Sequence, residues 1–428
     1  MVNFIEMKKL QPTPGYYGRT YNTNGLTSKE IDISDNTGIY LTYGQSNSVN
    51  CGELGYMVKN LIEHGRLSFI YSDLEKLSDI SRSVEDSPNL YMPPLYAIYL
   101  YIFSIFKLEE QNYIQLILLS QVLLSSITII VFYKLNKTFF TRKINFYGSL
   151  LLSLFPLYIY GCTQISSITL QVFLTVLFFY FLFKFINEKN FFSLFLFSLV
   201  GGLLILLRGE FFLIFILSLL YLIFFFKIKI KNILLMILIT LIIISPYLIR
   251  NILVFNSVTI TKSFGYNLWK GNNPNSIVEG SVLLSDNLQE QIENIPNDKY
   301  YFFNLDKIYL NEAIKNIKEE PKRYLILFFK KATSFLFIDI KSSQPNYYNP
   351  LHYLPVLLLG ITSLFGIILS DKKSFQLNYL ILIFFANIII FSSFFILPRY
   401  KLVILPLQII FTNVLIEHIV KKFSYHDE

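Results

Sequence analysis

The chain has 428 residues, of which 53% are hydrophobic, 17% aromatic and only 15% charged, and its mean hydropathy is +0.48. Soluble domains carry about a quarter charged residues, so this composition excludes an ordinary soluble enzyme. The net charge of +8 comes from short basic clusters between apolar runs, which is typical of cytoplasmic loops and not of a nucleic-acid groove. The sequence therefore predicts an all-α polytopic membrane protein with the lipid bilayer, and no nucleic acid, as its partner.

Residues 1–52 form a polar segment that contains neither a signal peptide nor an apolar span. The stretch IYLTYGQSNSVNCGE (39–53) resembles the Gly-Gln-Ser-Asn block of SGNH-type carbohydrate esterases, which implies Ser46 as a nucleophile. Such an esterase also needs an Asp-x-x-His for its base, and this sequence contains none, which argues against esterase activity. One interpretation is a fragment of foreign origin, joined near residues 50–58 in place of an expected first span.

Residues 53–112 are predicted to be a first external loop with interfacial helices. The run MPPLYAIYLYIFSIF (92–106) begins with two prolines and is too short for an ordinary span, so it predicts a helix in the membrane plane or a re-entrant helix. An external loop here requires an external N-terminal segment, which nothing in that segment drives. Either an upstream span is missing or the charge pattern fails at this end.

Nine apolar runs follow, most of them near the roughly 17–25 residues that cross a bilayer. They are residues 113–133, 145–162, 167–186, 191–207, 211–226, 232–249, 352–370, 376–397 and 402–420. The transmembrane regions are thus 113–250 and 351–428, as in a bundle of about nine spans. Alternate connections are rich in Lys and Arg, at residues 134–143, 184–190, 227–231, 371–373 and 421–422.

The positive-inside rule places these basic connections in the cytoplasm, so the other connections face the periplasm or exterior. Arg208, Glu210, Arg250 and Arg399 then share the external face. Because a charged side chain costs about 2.5–3.5 kcal/mol at the bilayer centre, an anion-binding site is one of two equally open interpretations of this grouping. The alternative is a set of ordinary anchors that extend to the headgroups.

Residues 251–350 are predicted to be a long external loop. The loop contains the only Trp of the chain, in the Asn- and Gly-rich stretch SFGYNLWKGNNPNSIVEG (263–280). Residues 298–331 show helical periodicity until Pro321, with Ile308, Leu310, Ala313, Ile314 and Ile317 on an apolar face. The spacing predicts an amphipathic helix on the membrane surface or, more simply, a packing helix.

Five stretches together resemble the membrane glycosyltransferases of the protein O-mannosyltransferase and lipid A aminoarabinose transferase group, glycosyltransferase family 39. The stretches are ELGYMVKNLIEHGRLSF (53–69), MPPLYAIYLYIFSIF (92–106), GGLLILLRGEFFLIF (201–215), SPYLIRNILVF with GYNLWKGNNP (245–255 and 265–274), and LPRYKLVILPLQIIF (397–411). The resemblance implies a C-type glycosyltransferase bundle in a bacterial inner membrane. It also implies transfer of a sugar from a polyprenyl-phosphate carrier to a lipid, glycan or protein acceptor on the non-cytoplasmic face.

The implied site combines cations for the donor phosphate with aromatic and amide groups for the sugar. The predicted substrate-binding residues are Arg208, Glu210, Arg250, Asn251, Tyr266, Trp269, Lys270, Asn272, Asn273, Arg399 and Tyr400. A glycine-rich turn without a ligand is the alternative interpretation of the stretch around Trp269.

Glu53 is the predicted general base, because the family uses an acidic residue of the first loop to take the acceptor's proton. The sequence departs from the family pattern at Gly52, where a first acidic residue is expected, so Glu53 is equally open to interpretation as a plain solvated carboxylate. Asp73, Glu75 and Asp79 lie in the same loop without motif support.

Neither a cofactor nor a metal site is predicted, since no cluster of metal ligands is evident and Cys51 and Cys162 are far apart. Two other functions stay open. Gly52 and the absent first span favour a catalytically inactive member. A transporter of lipid-linked glycans is the second, although the predicted spans carry almost no charge at their centres.

Overall fold

The computed structural model describes residues 57–58, 61–62, 65–67, 88–108, 110–279, 286–296, 298–339, 341–342 and 350–424. Helices dominate this part of the chain, and an isolated parallel β-bridge joins Glu279 to Ile396. The all-α membrane architecture predicted from the composition is therefore confirmed.

The α-helices are numbered in chain order over the described residues. They are α1 (Leu95–Ser104), α2 (Glu110–Asn136), α3 (Arg142–Leu154), α4 (Pro156–Cys162), α5 (Ile168–Glu188), α6 (Phe191–Leu207), α7 (Phe211–Phe224), α8 (Ile230–Phe255), α9 (Phe264–Gly271), α10 (Asp286–Glu293), α11 (Tyr301–Glu319), α12 (Pro321–Leu336), α13 (Pro350–Ile368), α14 (Phe375–Ser393) and α15 (Lys401–Ser424). A 3₁₀ turn at Pro398–Tyr400 precedes α15.

Each of the nine predicted spans falls on a helix. Six of these helices are long and apolar enough to cross a membrane, and α3 with α4, bent by 54° at Phe155, makes up to seven. The other two, α6 and α7, have 17 and 14 residues and are shorter than a usual span. Span α8 continues past the predicted end at residue 249 to Phe255, so Arg250 lies inside the helix.

The centre of the bundle is formed by α5 and α15. Helix α5 packs against α2 and α6, while α15 packs against α3 and α13. Phenylalanine rings fill the α5–α6–α7 contact, where Phe178 lies 4.6 Å from Phe197 and 5.1 Å from Phe211 between ring centroids. The outer helices instead expose apolar side chains, such as Leu123 on α2 and Leu241 on α8, as expected of surfaces that face lipid.

Residues 298–331 form two helices, α11 and α12, that are separated at Glu320 as the proline predicted. The buried face of α11 differs from the predicted one: of the five predicted apolar positions only Ala313 is buried, and Ile314 is 39% exposed. The buried residues are Tyr301, Phe302, Leu305, Tyr309, Ala313 and Asn316. Large aromatic side chains occupy this buried face because they fill the contact with α9, which packs along α11.

Candidate functional site

Arg208 ends α6 as its C-cap residue, in extended backbone conformation. Its Nε atom lies 3.2 Å from the Oε1 atom of Gln171 on α5 and 3.2 Å from the Oε1 atom of Glu210. Its guanidinium carbon stands 4.9 Å from the centroid of the Tyr400 ring. The side chain of Arg208 is 16% exposed and that of Glu210 is 32% exposed, so this charged pair reaches the surface of the bundle.

Tyr400 brings the C-terminal part of the chain to the same place. It ends the 3₁₀ turn before α15, and its ring packs 5.3 Å from that of Phe391 on α14. Arg399 places its guanidinium carbon 5.7 Å from the same ring. Tyr400 therefore has one arginine from α6 and one from its own turn close to its ring, and this defines the Arg208 cluster: Gln171, Arg208, Glu210, Arg399 and Tyr400.

Arg250 has a different environment, in which two of its three hydrogen-bond acceptors are main-chain carbonyl groups. Its Nη1 atom donates to the carbonyl oxygen of Asn89 at 2.8 Å and to the Oδ1 atom of Asn251 at 2.7 Å. Its Nη2 atom donates to the carbonyl oxygen of Leu67 at 3.1 Å. The neighbouring Asn251 is fully buried and donates to the carbonyl oxygen of Thr259 at 2.6 Å. The described part of the first loop is thus bound to α8.

Helix α9 carries the predicted sugar-binding stretch, and its aromatic residues are packed against α11. Trp269 is only 5% exposed, and its ring lies 4.8 Å from that of Tyr309. Tyr266 contacts the rings of Tyr309 at 5.0 Å and Tyr91 at 5.7 Å. The ammonium of Lys270 lies 4.3 Å from the ring of Phe395.

Asp306 on α11 holds the beginning of α9. Its Oδ1 atom accepts hydrogen bonds from the backbone N–H groups of Gly265 at 2.6 Å and Tyr266 at 3.4 Å. Burial raises the pKa of the Asp306 carboxyl, while these two donated hydrogen bonds and the charge of Lys262 oppose that rise. A carboxylate at a helix N-terminus also interacts favourably with the helix dipole.

Asn272 and Asn273 use their amides on the end of α9. Asn272 donates to the carbonyl oxygens of Leu268 and Ser393, both at 2.8 Å, and Asn273 donates to that of Trp269 at 3.0 Å. Both side chains are buried. A sugar bound by these amide N–H groups would have to replace main-chain partners.

Two buried lysines complete this part of the molecule, and the sequence analysis did not single out either of them. Lys331 on α12 is fully buried and donates to the carbonyl oxygen of Gly271 at 2.6 Å. Burial lowers the pKa of the Lys331 ammonium to about 7. Lys401 donates to the Oε1 atom of the buried Glu279 at 2.9 Å, which joins α15 to the segment after α9. Their signal in the sequence was a cation within an apolar stretch.

The predicted site residues therefore form three groups. Arg208, Glu210, Arg399 and Tyr400 come together with Gln171, which the sequence analysis missed. Arg250 and Asn251 bind the first loop and the segment after α8. The α9 residues pack on α11 and α12. Segment 259–262 connects the first two groups, because Thr261 lies beside Gly209 while Thr259 accepts from Asn251. Glu53, Ser46 and the esterase-like stretch lie outside the described residues and stay predictions.

Residues 92–249 match the family model described as dolichyl-phosphate-mannose-protein mannosyltransferase. The matched range begins just before α1 and ends within α8, so it contains Arg208 and Glu210 and stops immediately before Arg250. The resemblance predicted from the sequence motifs is confirmed over this range. Among curated proteins, none has a significant match to the chain.

The chain is also similar to two crystal structures of an oligosaccharyltransferase from Archaeoglobus fulgidus, one in the apo form and one tethered through a disulfide bond to an acceptor peptide with an NVT sequon. The identities are 12% and 13%, with TM-scores of 0.45 and 0.47. The alignments cover 80% of this chain but only 44% and 43% of the oligosaccharyltransferase, so the chain spans less than half its length. The family match over residues 92–249, on a helical membrane protein, confirms the chain's resemblance to the membrane glycosyltransferases of the protein O-mannosyltransferase group.

Proposed function

We propose that the chain is an inverting membrane glycosyltransferase that moves a sugar from a polyprenyl-phosphate carrier to an acceptor on the non-cytoplasmic face. The observation that carries this proposal is the Arg208 cluster, in which residues from α5, α6 and the turn before α15 meet. Gln171, Arg208 and Glu210 lie within the family-matched residues 92–249. A partly exposed guanidinium at a helix end suits a phosphate at headgroup level, because it offers several N–H donors in a planar fork.

In the proposed reaction, the acceptor's nucleophile attacks the anomeric carbon from the face opposite the phosphate. The bond between that carbon and the phosphate oxygen breaks, and the polyprenyl phosphate leaves with the bonding electron pair. Arg208 and Arg399 would bind the phosphate of the donor and hold it as the polyprenyl phosphate leaves. Glu53 is the proposed base that takes the acceptor's proton. The apolar tail of the donor needs a lipid-facing surface, which the outer helices of the bundle offer.

The donor-binding role is tested with the purified full chain and a panel of polyprenyl-phosphate sugars that begins with mannose. Arg208→Gln should reduce kcat/KM about 10- to 100-fold, chiefly through a higher KM for the donor, since a hydrogen bond to a charged group contributes about 1.5–3 kcal/mol. The matched control is Arg142→Gln, because Arg142 is exposed at the beginning of α3, in a predicted cytoplasmic loop. Equal kcat/KM in both variants would reject the Arg208 assignment.

The proposed sidedness has its own test, single-cysteine labelling in whole cells after replacement of Cys51 and Cys162 by Ser. Val258 after α8 is 75% exposed, and Lys137 after α2 is also exposed. A membrane-impermeant maleimide should label Val258→Cys and leave Lys137→Cys unlabelled until the cells are lysed. The reverse pattern would put the Arg208 cluster in the cytoplasm and overturn this part of the proposal.

The inactive alternative has one specific observation in its favour, Gly52 at the expected acidic position. Gly52→Asp therefore serves as a second variant in the transfer assay. Transfer by the wild-type chain supports the enzyme; transfer by Gly52→Asp alone would show that the natural chain has lost the activity.

A further inference from the structure

We propose that Arg250 is a positioning residue that closes the base of the segment between Leu67 and Asn89 and so holds the first loop against α8. This inference rests on the proposed function, in which the first loop supplies the acidic side of the site. It gives Arg250 a different task from Arg208, although both were predicted as ligands of the donor phosphate.

The Arg250 guanidinium is hydrogen-bonded to oxygen atoms of three residues. Its two terminal nitrogens donate to three oxygen atoms, those of the Asn89 and Leu67 carbonyl groups and of the Asn251 amide, at distances between 2.7 and 3.1 Å. The guanidinium carbon also stands 5.2 Å from the centroid of the Phe255 ring. Nη1 uses both of its N–H groups on the Asn89 and Asn251 oxygens, so a phosphate that bound Nη1 would have to displace one of them.

The two carbonyl groups that bind Arg250 stand at the two ends of one segment of the chain. Leu67 and Asn89 flank residues 68–88, and the N–H group of Asn89 donates to the same Leu67 oxygen at 2.8 Å. The planar guanidinium therefore joins the two ends of one loop. Bringing loop ends together costs conformational entropy, which a fixed cation at the base offsets. The flanked segment contains three acidic residues of the first loop, Asp73, Glu75 and Asp79.

The Asn89 end of this segment is itself a hydrogen-bonded turn. Asn89 is fully buried, and its Oδ1 atom accepts from the N–H groups of Tyr91 at 2.9 Å and Met92 at 3.2 Å. The next residue, Leu90, accepts from the N–H group of Lys262 at 2.6 Å. Residues 88–92 are thereby hydrogen-bonded to α8 and to segment 259–262. A displacement of Arg250 would therefore also displace residues 88–92 and segment 259–262, which lies beside Gly209.

The experiment compares Arg250→Gln, Arg250→Lys and Arg208→Gln in the purified full chain, with amide hydrogen exchange and donor kinetics as separate readouts. In Arg250→Gln, exchange of residues 88–92 should rise at least about tenfold, because the loop base loses its hydrogen bonds to the guanidinium. With polyprenyl-phosphate mannose as the probe, kcat should fall while the KM for the donor stays unchanged. Arg208→Gln should show the opposite pattern: normal exchange at 88–92 and a raised KM.

Arg250→Lys keeps the proposal testable if Arg250→Gln does not fold. One ammonium keeps the charge but lacks the fork that spans both carbonyl groups, so exchange at 88–92 should be intermediate between wild type and Arg250→Gln. Unchanged exchange in both Arg250 variants would overturn the positioning role, as would a raised donor KM with unchanged kcat. If the wild-type chain transfers no sugar, the proposed function fails, while the exchange result still decides the role of Arg250.

Discussion

Arg208 and Arg250 both stand near the predicted external end of a helix, in stretches that resemble the same family, yet their surroundings differ in kind. Arg208 contacts side chains, namely those of Gln171, Glu210 and Tyr400, in a partly exposed cluster. Arg250 binds the main chain of the first loop. Side-chain partners can exchange for a ligand at small cost, whereas unpaired buried carbonyl groups are costly. The difference teaches that the partners of a cation, and not its place at a helix end, separate a binding role from a structural one.

The largest effect is expected from Gly265→Ala. This substitution tests whether the packing of α9 supports residues 88–92, to which Arg250 is hydrogen-bonded. A Cβ atom at Gly265 would lie 2.8 Å from the Cβ atom of Leu310 and would collide with the backbone carbonyl of Asp306. Overpacking typically destabilises a protein by about 1–3 kcal/mol, and a clash with backbone atoms favours the upper end. Because Tyr266 packs on Tyr91, residues 88–92 should lose protection together with α9.

Thermal unfolding and hydrogen exchange of the purified chain measure this effect. Gly209→Ala is the matched control, since its Cβ atom would meet only the Thr261 hydroxyl oxygen at 3.6 Å, an ordinary contact. A melting temperature of Gly265→Ala equal to that of Gly209→Ala would show that α9 is not packed on α11 as described.

Lys331, like Arg250, donates to a main-chain carbonyl group, and it extends the comparison to the effect of pH on stability. Burial lowers the pKa of its ammonium from 10.5 to about 7, so between these pH values the unfolded chain binds a proton that the folded chain lacks. The free energy of unfolding should therefore rise with pH across this window, with a contribution from this group of up to about 1.4 kcal/mol per pH unit. Below pH 7 the lysine is charged in both states, and its contribution no longer changes with pH.

The readout is the melting temperature of the wild-type chain and of Lys331→Met between pH 6 and 10.5. Other titrating groups act in both proteins, so the difference between the two curves isolates Lys331. The gap should change steadily above pH 7 and stay level below it. Parallel curves over the whole range would contradict a buried ammonium with a lowered pKa.

The apolar runs were enough to predict the spans, because burial in lipid requires long apolar helices. Pro321 was enough to predict where the amphipathic run breaks into two helices, because proline interrupts a helix. The partners of the two arginines were beyond the sequence. Gln171 is 37 residues from Arg208, and Leu67 is 183 residues from Arg250, and no local pattern reports such contacts. The same limit applies to Trp269, which was predicted to contact the sugar and whose ring is packed against Tyr309. Its Asn- and Gly-rich surroundings favoured a loop, and no local pattern reported its contact with Tyr309 on α11.

The smallest effect is expected at Tyr400, whose ring lies beside the Arg208 guanidinium in the Arg208 cluster. The Arg208 guanidinium carbon lies 4.9 Å from the ring centroid, a cation–π distance, and such contacts contribute about 0.5–2 kcal/mol. Tyr400→Leu should therefore raise the KM for the donor about three- to tenfold by loosening Arg208, while Tyr400→Phe, which keeps the ring, should stay within about twofold of the wild-type KM. Equal losses in both variants would assign the effect to the phenol hydroxyl, and no loss in either would remove Tyr400 from the donor site. Since Phe391 supports the same ring, the melting temperatures of both variants must match before the KM values are compared.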